Sequence, residues 1–106
     1  MIVITKNLAN DIINIIKDKI LNAQVVTDIQ TRDVLITNKN VIDDTANNEL
    51  LLNIELYRSE EVAETLTEIR FYDSANSLVL KSSNLNINLP ATKVSFIYQI
   101  KLVYSP

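Results

Sequence analysis

The sequence predicts an α+β fold that is mainly β: an N-terminal amphipathic helix followed by an antiparallel β-sandwich of about six or seven strands. Three observations lead there. Apolar residues near the N-terminus recur at three- and four-residue steps, and beyond about residue 24 the period changes to alternation. The connections between alternating segments are mostly short and rich in Asn, Asp and Ser. No linker, repeat or low-complexity tract divides the 106 residues. A single domain over 1–106 follows, with an entry segment and helix in 1–23 and the sandwich in 24–106.

The helix comes first. Leu8, Ile12, Ile15, Ile16 and Ile20 share one face, while Asn10, Lys17 and Asp18 lie mainly off it. Thr5 or Asn7 can cap its start, and Asp11 falls where a negative charge is favoured. The isoleucines are β-branched, which restricts χ1 and lowers intrinsic helicity. Docking must therefore stabilise the helix. Each fully buried aliphatic contributes about 1.5–3 kcal/mol against a few tenths lost to propensity.

Strands follow. Segments around Gln24–Gln30 and Val34–Thr37 read as the first two. Leu50, Leu52, Ile54 and Leu56 alternate with Glu49, Leu51, Asn53 and Glu55 in a half-buried pattern. Ser59–Glu64 reads as a turn or one short helical turn, with Ser59 as its cap. Thr65–Tyr72 and Ser77–Lys81 form a hairpin through Asp73–Asn76, and Asn76 is the residue expected at positive φ. Leu85, Ile87 and Leu89 alternate with Asn84, Asn86 and Asn88. In the last segment Val94, Phe96, Tyr98, Ile100, Leu102 and Tyr104 face one way. Lys93, Ser95, Ile97, Gln99, Lys101 and Val103 face the other, and Ile97 and Val103 suggest that this side is also partly covered.

Composition restricts the chemistry. The chain has no glycine, histidine, cysteine or tryptophan. Phosphate-cradling loops and dinucleotide fingerprints need glycine. Structural zinc wants thiolate or imidazole, and triad nucleophiles want an imidazole base. The sequence thus argues against an enzyme: no catalytic, cofactor-binding or metal-binding residue is assigned. A formal charge of −3, with no basic cluster, argues against nucleic acid. Charges at Lys6, Asp11, Lys17 and Asp18 interrupt the apolar N-terminus too early for a spanning helix, so no membrane insertion is expected.

Three clusters compete for a function. Asp43, Asp44, Thr45, Asn47, Asn48 and Glu49 are rich in oxygen ligands but lack the EF-hand spacing, so they read as a polar loop. Glu60, Glu61, Glu64 and Glu68 lie in the most polar stretch and read as a solvated face, with Glu68 and Arg70 close enough for a surface ion pair. Among the aromatics, Phe96 and Tyr98 fall in the apolar row and read as core. Tyr57 and Tyr104, near strand ends, are interface candidates. The long last strand is a liability as an edge, because such edges invite pairing with another chain. The interface set is therefore Lys93, Ser95, Ile97, Gln99, Lys101, Val103, Tyr57 and Tyr104.

The order of the pieces resembles small tailed-bacteriophage virion proteins and the N-terminal domains of phage tail-fibre, tail-collar or baseplate-type proteins. The resemblance runs through Ile2-Val3-Ile4-Thr5-Lys6-Asn7-Leu8 leading into the helix and the block Leu66-Thr67-Glu68-Ile69-Arg70-Phe71-Tyr72-Asp73. It continues through Leu78-Val79-Leu80-Lys81, Asn88-Leu89-Pro90 and the strand Val94–Leu102. Where the family pattern carries glycines, after the helix, in the Asp73–Ser77 turn and at Arg70, this chain has none. The resemblance implies a non-enzymatic virion component, assembled in the host cytoplasm, whose partners are itself and other virion proteins in a symmetric homo-oligomer. A ligand-binding sandwich module, carbohydrate-recognising through the tyrosines and the Asp43–Glu49 loop, is the alternative.

Overall fold

The computed structural model describes residues 2–106 and contains one helix and seven strands among them. Helix α1 spans Lys6–Lys19. The strands are β1 (Asn22–Thr27), β2 (Thr31–Asp44), β3 (Glu49–Arg58), β4 (Glu64–Tyr72), β5 (Leu78–Ser82), β6 (Ile87–Leu89) and β7 (Val94–Val103). The fold is mainly β, and every strand pairing is antiparallel. The strands form one hydrogen-bonded path, β5-β4-β1-β2-β3-β7, with β6 also on β4.

The reason is β2. Its first residues pair with β1 and the remainder with β3, so one long strand belongs to both halves of the sheet. Only Val34–Thr37 of it is legible in the sequence. The rest is hidden by a register shift between Ile36 and Asn38, which breaks the period-two pattern. A second shift opposite Val26 and Thr27 moves the buried row of β4 from Leu66 to Ile69. Each irregularity bends and twists its strand, and together they curl the sheet. Phe71 of β4 and Tyr98 of β7 thereby meet across the concave side, with ring centroids 5.2 Å apart.

The buried row Leu50, Leu52, Ile54 and Leu56 matches the expected alternation. The helix does not match its expected face. Ala9, Ile13 and Ile20 are fully buried and Ile16 packs against the core, whereas Leu8 and Ile15 are exposed. The docked stripe is rotated toward Ala9, whose small side chain permits close approach to the sheet. Leu8, Ile12 and Ile15 then form a second apolar stripe on the outer side. The row Leu85, Ile87 and Leu89 also splits. Ile87 is exposed and Leu89 buried, because β6 is a three-residue edge strand bonded among the described residues to β4 alone. Ser59–Ala63 contains no helical turn.

Charges hold the helix at both ends. Thr5 caps the start, its Oγ1 accepting from Leu8 N at 3.3 Å. Lys39 of β2 donates from Nζ to the carbonyls of Lys17 at 2.7 Å and Ile20 at 2.6 Å. An ammonium there satisfies end carbonyls and complements the negative pole of the helix. Lys6 in the first turn pairs with Asp43 of β2 at 2.6 Å. Positions 39, 41 and 43 share the inner side of β2, so a single strand carries both anchors.

The turns manage without glycine. Asn48, Asn76 and Asn84 are the three described residues at positive φ, at 54°, 61° and 59°. Asparagine tolerates this region best among residues with a Cβ. Asn76 is the position that turn chemistry selects in the sequence. In that turn Asp73 Oδ1 accepts from both Ala75 N and Ser77 N at 2.9 Å.

Two outcomes test these points. Lys39→Met removes both charge-assisted bonds and should lower the unfolding free energy by about 2 kcal/mol in urea titration, with the m-value unchanged. Asn76→Ala should cost about 1 kcal/mol and Asn76→Gly should not, since only the former adds a steric penalty at positive φ.

Candidate interaction surface

The eight interface candidates divide by where the curl puts them. Along β7, Ser95, Ile97, Gln99, Lys101 and Val103 are exposed on the convex side, and Lys93 is exposed just before the strand. Tyr57 is half-buried on the same side, directly opposite Ser95. Tyr104 does not join them. It is buried at 5% exposure, with its hydroxyl donating to Asp43 Oδ1 at 3.1 Å and its ring 5.6 Å from Lys6 Nζ. Its backbone N–H bonds Asn48 O, and Ser105 N bonds Ile4 O. A tyrosine at the chain end reads as surface in the sequence because the tertiary contacts that cover it come from distant segments.

β7 is a ten-residue strand whose bonded neighbour among the described residues is β3 alone. Its pairing with β3 runs without a register shift from Val94 opposite Arg58 to Val103 opposite Glu49. The inward row Val94, Phe96, Tyr98, Ile100 and Leu102 is only half-buried. On the convex side Ile97 and Val103 are 61% and 63% exposed. Among the described residues nothing provides the cover that these two apolar side chains suggest. Polar contacts on this side are local: Gln99 Nε2 donates to Asn53 Oδ1 at 2.8 Å and Lys101 pairs with Glu49 at 3.1 Å. Sequence reasoning missed Leu35 of β2, 64% exposed and opposite Tyr57. It extends the apolar part of the surface across a third strand.

Three of the four carboxylates considered for acid–base work, Glu60, Glu64 and Glu68, have structural partners, and Glu61 is exposed. Glu64 is not on a solvated face. Its side chain is fully buried, accepting through Oε1 from Arg58 Nη1 at 3.2 Å and through Oε2 from Arg32 Nε at 3.2 Å and Thr27 Oγ1 at 3.1 Å. Arg58, 1% exposed, also donates to Val62 O at 2.8 Å, Thr92 O at 2.8 Å and Pro90 O. Its Nε finds no partner among the described residues. Glu60 adds a contact to Arg32 at 3.3 Å. Glu68 pairs with Arg70 as expected and accepts from Ser83 Oγ at 2.8 Å. The Ser83 bond first, then the Arg70 guanidinium, hold the Glu68 carboxyl below its ordinary range.

The oxygen-rich stretch Asp43–Glu49 is likewise committed. Asp43 and Asp44 end β2 and Glu49 opens β3, so only the middle is a turn. Asn47 Nδ2 donates to Asp44 Oδ2 at 2.8 Å. Asp43 is lowered chiefly by its hydrogen bond to Lys6, then by the one from Tyr104. Lys6 is raised by the same bond to Asp43, and Tyr104 is raised by burial and then by Asp43. Among the described residues no cluster of three or more potential metal-ligating side chains forms.

No family model, curated protein or solved structure matches the chain.

Breaking one member of the buried pair should be more harmful than replacing both. Glu64→Gln leaves the Arg58 charge buried and should cost about 3–5 kcal/mol, while Arg58→Met with Glu64→Leu should recover a substantial part in chemical denaturation. The pH dependence has a defined sign. Asp43 and Glu68 are depressed in the folded state, so their contribution is present above their unfolded values and lost as pH falls through the folded ones. Lys6 and Tyr104 are raised, so theirs is complete below their unfolded values and lost as pH rises through the folded ones. Asp43→Asn should flatten both limbs of a stability profile, and Glu68→Gln only the acid limb.

Proposed function

We propose that this protein is a non-enzymatic structural subunit that acts through protein–protein contacts. The setting is the one its sequence resemblance implies: the tail, baseplate, collar or fibre attachment of a phage particle. One observation carries the reading. A ten-residue edge strand has exposed apolar side chains on its convex side and a half-buried apolar row on its concave side. Edges of this kind template pairing with another chain unless they are blocked. The absence of glycine, histidine and cysteine from the sequence supports the same reading. In this proposal the halves of the curled sheet act as the two layers of a sandwich, an arrangement that the Phe71–Tyr98 contact supports. Helix α1 is amphipathic toward the sheet and offers Leu8, Ile12 and Ile15 to a neighbour.

A second reading is a ligand-binding module, with carbohydrate as the ligand class. It draws on a cleft of about 380 Å³ lined by Asn22, Gln24, Asp33, Tyr72 and Asn76, among others. Amides, a carboxylate and an aromatic ring together suit a polyhydroxylated ligand. Tyr72 donates to Gln24 and Gln24 to Asp33, so these groups already satisfy one another in part.

Light scattering and analysis of purified particles separate the two readings. A structural subunit should be oligomeric or incorporated into particles, and it should give no signal on a glycan array. A strict monomer at high concentration that associates with no particle would overturn the first reading. Glycan binding abolished by Tyr72→Ala would establish the second.

A further inference from the structure

Resting on the structural-subunit reading, we infer that the β7 edge pairs antiparallel with the β7 edge of a second copy, around a two-fold axis that passes beside Gln99. The two edges of the sheet differ in kind. On one side β4 is covered by two short strands, β5 of five residues and β6 of three, with a register shift between Phe71 and Tyr72. Short, interrupted and shifted strands are the usual means of blocking an edge. β7 has none of these features. It contains no proline and no register shift, and its inward positions carry only apolar or aromatic residues.

That asymmetry selects the partner. Head-to-tail assembly would require the long uninterrupted β7 to pair along the broken β5–β6 edge, which lacks a continuous row of backbone groups. A second β7 supplies such a row, and an isologous contact closes after two subunits. Within one continuous sheet the concave faces of both copies must coincide, so inward residues oppose inward residues. Centring on Gln99 sets Tyr98 against Ile100 of the second copy and Phe96 against Leu102, covering the row that one chain leaves half-exposed. Lys101 then faces Ile97 rather than its own copy, so no like charges are opposed and its methylene stem lies along an exposed apolar side chain. The two Gln99 amides meet across the axis, each able to donate and accept.

The absence of cysteine makes single-cysteine probes unambiguous. Gln99→Cys and Ile97→Cys proteins are oxidised, and their covalent dimers are quantified alongside sedimentation and hydrogen exchange of the unmodified chain. The expected result is a concentration-dependent dimer whose β7 amides gain protection as it forms. The Gln99→Cys protein should cross-link efficiently. The two thiols of an Ile97→Cys dimer lie about 13 Å apart along the strands, and that protein should not. A dimer with unprotected β7, or cross-linking at position 97 in preference to 99, would overturn this pairing and leave the structural-subunit reading intact. A monomer at the highest soluble concentration that still enters particles would do the same. A monomer that enters no particle would remove both.

Discussion

The buried Arg58–Glu64 pair is the contact on which the shape of the sheet depends. β3 and β4 are consecutive in sequence but three places apart in the strand path. The short Ser59–Ala63 connection can join them only if the sheet curls until their ends meet. Arg58 at the end of β3 and Glu64 at the start of β4 meet there, and Arg32, Thr27 and the carbonyls of Val62, Pro90 and Thr92 complete the cluster. Such an arrangement is costly to desolvate and contributes little net stability relative to a packed apolar alternative. What it contributes is a unique geometry, since a shifted strand register would leave a buried charge without its partner. Pro90 and Thr92 also lie in the short link from β6 to β7, so the same arginine helps to set where the last strand begins.

The helix is governed by the same logic at lower stakes. Apolar burial brings α1 onto the sheet, but apolar contact is non-directional and would tolerate sliding. Lys39 at one end and the Lys6–Asp43 pair at the other make one position preferred. Asp43 in turn receives the hydroxyl of Tyr104, so the first helical turn, the end of β2 and the C-terminal segment converge on one carboxylate. A chain without glycine adds stiffness at the turns, because asparagine occupies the left-handed positions with fewer accessible conformations than glycine would have. The most prominent edge that this arrangement leaves without a neighbouring strand among the described residues is β7.

An open edge suits assembly. Backbone groups along β7 are held in a fixed, extended row by ten residues of uninterrupted pairing to β3, so a partner strand would meet a preformed template with little further ordering. The convex side chains around it, Leu35, Tyr57, Ile97 and Val103, supply apolar contact among polar neighbours such as Asn53, Gln99 and Lys101. That mixture resembles a protein interface, in which a few apolar anchors are rimmed by polar groups.

Alternation by itself determined the inner row of β3, the direction of the β7 side chains and the β4–β5 hairpin, because strand period and turn chemistry are local properties. Asn76 was legible for the same reason: few other residues tolerate that backbone conformation. Tertiary structure decided the rest. The irregularities opposite Leu56 and Val26 shift which side chains face inward, so a fixed period of two fails across β2 and β4. Inward Lys39, Asp43, Arg58 and Glu64 look like surface residues until their partners from other elements are brought beside them. Ala9 and Ile13 displaced Leu8 and Ile15 from the core because the sheet's close approach, rather than the count of large side chains, chose the docking face. Charges can be buried only where a complementary group arrives from elsewhere in the chain, and no local reading of the sequence contains that arrival.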